Sequence, residues 1–390
     1  SKFGAESIIP SPFDPRLIRE VAPAVARAAM KSGVATRPIE DFDAYLEQLD
    51  RFVFRSGLLM RPLFDQARAD RKRIVYAEGE DERVLRAAKA VIDEGIGVPI
   101  LIGRPGIVRR RVERLGLNFR PGEDCEVINP QDDPRYRDYW TLYHELTERK
   151  GVSPDEARTR VRTNSTVIAA LALKRGDADA MICGTEGRYD RHLQHVRDIV
   201  GMRADVRDMS AVSVLILSKG TVFITDTYVT PNPSAEDIAE MTHLAAEEVR
   251  RFGLTPKVAL LSHSSFGSSN SESAQKMRRA RQLVHARDPE LHVEGEMHAD
   301  AAIDPEIRER IFPNSVLDGQ ANLLVMPDQD AANIAFNLLK TLADGLAVGP
   351  ILVGGTHSAH VLTPSVTARG VLNKSAVAAV GAQYDMRAEG

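Results

Sequence analysis

The stretch from Asn322 to Val353 constrains the fold most, because a strand, a helix and a second strand follow one another there with short connections. Leu323 to Met326 is a short apolar run typical of a buried parallel strand. Asp328 or Asp330 can cap the helix that follows by accepting hydrogen bonds from its free N–H groups. Since ligands of open α/β sheets bind beyond the carboxyl ends of strands, the stretch predicts an α/β fold with a candidate site at this turn.

The predicted helix carries an apolar side and ends near Gly345, before a second strand around Gly349 to Val353. Its apolar residues are Ile334, Phe336, Leu338, Leu339 and Leu342. The same alternation recurs in the runs IVYAEG, VPILIG, CEVINP, ADAMICG, VSVLILS, TVFITDT and KVALLSHS. We therefore expect mostly parallel sheets covered by helices, in enough strands for two lobes.

Composition excludes several classes of protein. Among the 390 residues, 43% are hydrophobic and 27% charged, and the net charge of -4 argues against a general nucleic-acid role. The two cysteines, Cys125 and Cys183, indicate no disulfide framework. The histidines show no metal-ligand spacing, and the apolar runs are too short for a membrane span, so we expect no metal site and a cytoplasmic protein without a signal peptide.

Here the sequence becomes similar to a known family. The run PDQDAANIAFNLLKTLADGLAVGPILVGG resembles the C-terminal region of phosphate acetyltransferases, and the resemblance extends over about residues 63–385. It implies two three-layer α/β/α lobes with a cleft between them. The first lobe would comprise 64–204 plus 349–390, and the second 205–348.

At five positions the chain lacks residues that the family uses. The family continues with a Ser-Arg-Gly-Cys-Ser segment and an Asp, which are central to acetyl transfer, whereas this chain has Pro364 in place of the Arg and Gly370 in place of the Asp. Two family arginines correspond to Thr147 and Gln194, and a family tyrosine to Val348. Since acyl transfer needs fixed positive charge and a base, we expect no catalytic residues in this chain.

A serine-rich loop from His263 to Asn270 follows the KVALLS run and offers hydroxyl and N–H groups to a phosphate. A bare turn is an equally good interpretation. The loop resembles the family's coenzyme A loop, with Phe266 in place of a lysine. The candidate acetyl-CoA-binding residues implied by the resemblance are Ser264, Ser265, Gly267, Ser268, Asp328, Asn333, Thr363, Ser365 and the retained Arg83 and Lys150.

The first forty residues resemble the closing segment of bacterial malic enzymes, and residues 41–63 are predicted to form a helical linker. Together the two resemblances imply a degenerate phosphotransacetylase-like domain of a multidomain NADP-dependent malic enzyme. Acetyl-CoA would act as an allosteric inhibitor, and the domain would form a homodimer, with a higher oligomer in the full protein. Malate, NADP and Mg or Mn would bind an upstream malic enzyme domain outside this chain. The alternatives are an active phosphate acetyltransferase and a purely structural dimerisation domain.

Other candidate residues have simpler interpretations. Glu294 and Glu296 could act as an acid and a base, but a structural role on a strand is favoured. His357 and His360 are predicted to be loop residues rather than ligands. The arginine-rich stretch at 109–111 is predicted to be a solvated helix face.

Overall fold

A computed structural model of the chain describes residues 15–343 and 345–388. The side chains of residues 15, 16, 51–56 and 386–388 are not described. The chain divides into two compact units, Ser1–Pro62 and Leu63–Gly390. Residues 1–14 of the malic-enzyme-like segment lie outside the described residues.

The helices and strands have the following bounds. The strands are β1 (Lys72–Tyr76), β2 (Gly97–Ile102), β3 (Glu126–Ile128), β4 (Ala180–Cys183), β5 (Ser210–Leu217), β6 (Gly220–Thr225), β7 (Lys257–Leu261), β8 (His292–Met297), β9 (Leu323–Val325), β10 (Leu346–Val353) and β11 (Ser358–Val361). The α-helices are α1 (Pro15–Ser32), α2 (Phe42–Ala69), α3 (Glu82–Glu94), α4 (Pro105–Arg114), α5 (Tyr136–Thr147), α6 (Pro154–Thr163), α7 (Ser165–Lys174), α8 (Tyr189–Ile199), α9 (Ala235–Arg251), α10 (Glu272–Arg287), α11 (Ala299–Ile303), α12 (Pro305–Ile311), α13 (Gln329–Leu342) and α14 (Ala368–Ala388).

The first unit contains α1 and most of α2, and residues 42–63 of the predicted helical linker are helical. The second unit contains two sheets, which confirms the predicted α/β class. One sheet has the strand order β11-β4-β1-β2-β3, with every neighbouring pair parallel. The other has the order β10-β5-β6-β9-β7-β8, in which β5 runs antiparallel to both of its neighbours and the remaining pairs are parallel.

Local sequence determines where several of these helices begin. The Asp81 side chain accepts a hydrogen bond from the Arg83 N–H and caps α3. Ser234 and Asp237 form a reciprocal capping box at the start of α9. Helix α7 is apolar on all sides, and the eight residues 166–173 are all buried, as expected for a helix enclosed by its neighbours.

The predicted strand, helix, strand unit is present as β9, α13 and β10. Asp328 caps α13 by accepting from the Ala331 N–H at 2.8 Å. The two strands are not neighbours, because β6 and β5 lie between them in the sheet. Phe336 is buried, whereas Ile334, Leu338 and Leu342 are exposed. The apolar residues of α13 therefore occupy two faces, and one of these faces does not pack against the second unit's own core.

Two details differ from the sequence expectations. His360 lies on β11, between two sheet residues, and is 4% exposed, so its interpretation as a loop residue was wrong. Sequence missed β11 because four residues give too short a pattern. The predicted lobe boundary at residue 349 falls inside β10, which pairs with β5 in the second sheet.

Lys374 is a buried cation in α14, where it joins that helix to β10. Its ammonium donates to the Pro350 carbonyl at 2.6 Å, and the residue is 1% exposed. Burial lowers the pKa of Lys374 to about 7, while attraction by Glu248 opposes this shift. The folded protein therefore binds fewer protons here than the unfolded chain between pH 7 and 10.5.

We predict that Lys374→Met reduces the dependence of the unfolding free energy on pH. In the unaltered chain, unfolding takes up a proton in this window, so stability rises from pH 7 toward 10.5 and falls as the pH decreases to 7. In the variant, the slope of the unfolding free energy against pH should be smaller by up to about 1.4 kcal/mol per pH unit. Urea unfolding at pH 7, 8 and 9 measures it, with Lys219→Met in the exposed β5–β6 turn as control. Equal slopes in both variants would contradict the assignment.

Candidate functional site

The carboxyl ends of the two sheets meet through an aromatic contact. Tyr189 begins α8 after β4, and Tyr228 follows β6. Their ring centroids are 4.9 Å apart with an interplanar angle of 32°. Because β4 and β6 belong to different sheets, this contact places the loops beyond both sets of parallel strands in one region, which is where an α/β fold binds ligands.

Arg83 is completely engaged by the protein itself. Its Nε and Nη2 atoms donate to the Asp81 carboxylate, at 3.1 and 2.7 Å respectively. Nη2 also donates to the Thr185 carbonyl at 2.9 Å. Nη1 donates to the carbonyls of Pro364 and Val366, at 2.7 and 3.2 Å. These five bonds use all five donors of a guanidinium. Arg83 therefore clamps three loops, and binding a ligand would require the exchange of one of these bonds.

Glu78 is a functional candidate that the sequence reasoning passed over. It follows β1, and its two carboxylate oxygens accept from the Gly184 N–H at 3.0 and 3.1 Å. Burial raises the pKa of Glu78 to about 7, against the lowering effect of the Gly184 and Thr185 N–H groups. A carboxyl group with such a pKa can exchange protons near neutrality. Its position directly after a buried strand was the available signal.

In the segment from Thr363 to Gly370, Arg369 is the one charged residue, and neither Pro364 nor Gly370 supplies a charged side chain. The Thr363 and Ser365 hydroxyls are 3.3 Å apart. Pro364 contributes only its carbonyl, which Arg83 binds. A Cβ at Gly370 would lie 2.8 Å from Cγ2 of Val366, so a larger residue requires Val366 to move. The local packing has thus adapted to the absence of a carboxylate.

The serine-rich loop is closed on itself around the Glu296 carboxylate. Glu296 is 1% exposed and accepts from the Gly267 N–H and, at 3.2 Å, from the Ser264 hydroxyl. Arg278 donates to the same carboxylate at 2.9 Å. This pairing confirms the structural role favoured for Glu296. An internal anion therefore already occupies the concave side of the loop.

The backbone donors of residues 264–269, the central part of this loop, are used within the chain. The N–H groups of residues 264–269 donate to hydroxyls, carbonyls or the Glu296 carboxylate. Ser264 is fully buried. Phe266 has a φ of 49° and stacks on Phe312 with ring centroids 4.4 Å apart, so it fills an apolar position beside the loop. A phosphate could use the hydroxyls here but not a free backbone cradle.

Three other candidate acetyl-CoA-binding residues lie in two separate parts of the structure. Asn333 lies on α13 and donates to the Thr227 carbonyl at 3.2 Å, next to Tyr228, and Asp328 begins the same helix. Lys150 is in a separate group, where it forms an ion pair with Asp198. The structure therefore joins Asp328 and Asn333 to the aromatic contact and gives Lys150 an acidic partner.

Three positions where the family carries other residues also have defined surroundings. Gln194 donates to Asp198 at 3.0 Å and shares that carboxylate with Lys150. Thr147 is 2% exposed and donates to the Tyr143 carbonyl at 2.6 Å. Val348 is 2% exposed and pairs with Val214 across β10 and β5. Thr147 and Val348 are therefore core residues rather than residues lining an open cleft.

The fold and the site define a member of a known family. The model of the phosphate acetyl/butaryl transferase family matches residues 58–379, and this chain belongs to that family. A phosphotransacetylase from Streptococcus pyogenes has the same fold, with a TM-score of 0.78 and 27% identity over 84% of this chain and 98% of that chain.

More similar sequences are named as malic enzymes. The chain is 59% identical over 98% of its length to the NAD-dependent malic enzyme of Rhizobium meliloti, covering 50% of that protein. It is 50% identical, again over 98% of its length, to the NADP-dependent malic enzyme of Escherichia coli, covering 50% of that protein. The chain thus spans about half the length of the curated relatives it matches.

Within 15–343 and 345–388, no helix combines the length and hydropathy that a membrane span requires. In these same ranges, no group of three or more His, Cys, Asp and Glu side chains could hold a metal ion.

We predict that Arg83→Lys loosens the segment from Thr363 to Val366. Lysine keeps the charge beside Asp81 but has no planar fork to reach three partners at once. Lost bonds from a charged donor should reduce stability by roughly 1–3 kcal/mol. Thermal unfolding and amide hydrogen exchange of residues 363–370 measure the effect. Arg110→Lys, at an exposed residue that donates to Gly106 in its own helix, is the control; equal exchange in the two variants would contradict the clamp.

Proposed function

We propose that this chain is the regulatory domain of a malic enzyme, and that it binds acetyl-CoA without converting it. In this proposal the rest of the longer protein decarboxylates malate oxidatively to pyruvate. Support comes from the relatives named as malic enzymes, which are 59% and 50% identical and about twice as long. Family membership supports a site for an acyl-CoA, since that is the ligand class the resemblance implies.

The observation that carries the proposal is the segment from Thr363 to Gly370. Transfer of an acetyl group between a thiol and phosphate needs preorganised positive charge and a base. Pro364 has no side-chain donor, Gly370 has no carboxylate, and the packing of Val366 leaves no room for one without rearrangement. Removing one preorganised donor typically costs on the order of 100- to 1000-fold in rate, so the two losses together abolish useful turnover.

A site of this kind suits regulation. It can hold a ligand without consuming it, and a ligand regulates through a difference in affinity between two states of the protein. A coupling free energy of about 1–3 kcal/mol gives a 5- to 150-fold effect. Inhibition by acetyl-CoA would be feedback, because acetyl-CoA reports the carbon supply to which pyruvate contributes.

One observation favours an active phosphate acetyltransferase instead. Glu78, whose pKa is raised to about 7 by burial, lies beside the loops that Arg83 joins and could serve as the missing base. This second candidate still lacks the family's arginine, whose position Pro364 occupies. A purely structural domain that binds no ligand is the third possibility.

We predict that the purified chain, supplied with acetyl phosphate and CoA, forms no acetyl-CoA above the uncatalysed rate, while acetyl-CoA binds in a calorimetric titration. Thioester absorbance measures turnover, and a phosphate acetyltransferase assayed in parallel is the positive control. Turnover would establish an active phosphate acetyltransferase, and the activity of Glu78→Gln would then test whether Glu78 is the base. If the chain shows no turnover and does not bind acetyl-CoA, only the purely structural domain remains.

Oligomer formation is a further part of the proposal, and the exposed face of α13 supports it. Ile334, Leu338 and Leu342 recur every fourth residue and are 58%, 54% and 80% exposed. Such a stripe can cover the same residues of a second copy around a two-fold axis. The sequence predicts that NADP and Mg or Mn bind outside this chain. Because the relatives are named for NAD in one case and NADP in another, the preferred nucleotide stays a prediction.

We predict that Leu338→Glu shifts the chain from dimer to monomer, because a charge in the middle of the stripe opposes burial of its neighbours. Light scattering after size-exclusion chromatography measures the mass. Val316→Glu places the same charge at a comparably exposed residue, 57% exposed and outside α13, and should leave the mass unchanged. A monomeric unaltered chain, or a dimer insensitive to Leu338→Glu, would contradict the proposed interface.

A further inference from the structure

Four parallel strands of the second sheet end at one edge, and their loops are neighbours. In the order β6-β9-β7-β8, the turn after β9 lies between the loops after β6 and β7. The Gln329 N–H donates to the Pro231 carbonyl at 3.2 Å and joins the turn after β9 to the loop after β6. A phosphate-bearing ligand of the second lobe would lie along this edge.

The edge offers such a ligand little positive charge from the residues considered so far. The N–H groups of residues 264–269 in the serine-rich loop are used internally, and Glu296 is the anion that the Gly267 N–H and Arg278 already bind. The neighbouring Arg281 is 3.2 Å from the carboxylate of Glu294. These two arginines are therefore neutralised by buried carboxylates.

Lys276 is different. It lies on the second turn of α10, and its ammonium donates to the Pro327 carbonyl at 2.8 Å, which joins the helix after the serine-rich loop to the turn after β9. Among the described residues, no carboxylate forms an ion pair with it. Asp328 attracts it, but that side chain also accepts from the Ala331 N–H as the cap of α13.

The ammonium of Lys276 thus has spare donors and, among the described residues, no carboxylate in an ion pair with it. A lysine ammonium has three donors, and one is used by Pro327. Partial burial lowers its pKa, which indicates that part of its hydration has been removed and that a bound anion would stabilise the charged form. Lys276 lies on the helix that follows the serine-rich loop, and Phe266 of that loop provides no cation.

We propose that Lys276 is the cationic anchor for a phosphate group of acetyl-CoA in this lobe. The inference rests on the proposed function and adds the residue that supplies the charge. The sequence reasoning missed Lys276 because it is one of many cations on a polar helix, and only the contact with Pro327 distinguishes it.

Calorimetric titration of the purified chain with acetyl-CoA tests the anchor. Lys276→Met should weaken the Kd by about 10- to 100-fold, since a hydrogen bond from a charged donor is lost, and Lys276→Arg should restore most of the affinity. Lys174→Met is the matched control, because Lys174 also donates to a carbonyl, that of Val200, but in the first lobe. Its Kd should equal that of the unaltered chain.

The outcomes separate the two proposals. Binding by the unaltered chain with no change in Lys276→Met overturns the anchor and leaves the proposed function intact. No binding by the unaltered chain overturns both. Thermal unfolding without ligand identifies a folding defect, and in that case Lys276→Arg decides: a Kd restored to near the unaltered value supports the anchor, and a Kd still weakened by more than 10-fold in a folded protein overturns it.

A second ligand locates the phosphate that Lys276 binds. If 3′-dephospho-CoA, titrated in the same way, shows no difference between the unaltered chain and Lys276→Met, the 3′-phosphate is the partner. If the 10- to 100-fold loss persists, the diphosphate is the partner. Either result supports the anchor, provided that acetyl-CoA itself shows the loss.

Discussion

The pairing of buried charges is the constraint on which the loops of this protein depend. A buried carboxylate is costly unless it is hydrogen-bonded or neutralised. Asp226, 3% exposed, accepts N–H bonds from four residues and fixes the turn that carries Tyr228. Glu296 does the same for the serine-rich loop, and the Arg83 guanidinium joins three loops of the first lobe. Each loop is thus built around one charged group.

This arrangement has a consequence for function. The loops at both sheet edges are held by bonds within the chain, so they are preorganised without a ligand, and preorganisation reduces the ordering cost of binding. The same bonds consume donors that a transferase would direct at its substrate. Arg83 illustrates this, since all five of its N–H groups hold protein atoms. These two properties fit the proposed regulatory role.

Much of the fold could be read from the sequence because local patterns dominate it. The helices at Phe42–Ala69 and Gln329–Leu342 and the strand at Lys72–Tyr76 follow directly from apolar periodicity and capping residues. Strand β11 escaped because of its length, and the separation of β9 from β10 by two strands is a non-local fact. The exposure of the apolar stripe on α13 could not be predicted either, because the apolar residues of a helix do not show which of its faces is covered.

By itself, the sequence determined the α/β class, the family and the absence of an Arg and an Asp at Pro364 and Gly370, because these depend on residue identity and short-range spacing. Only the tertiary structure decided which polar groups remain available. It paired the Glu296 carboxylate with the loop, buried Thr147 and engaged every donor of Arg83. Hydrogen-bond partners come from residues up to hundreds of positions apart, as with Arg83 and Pro364, and the physical reason is that chain folding, rather than spacing, brings donors and acceptors together.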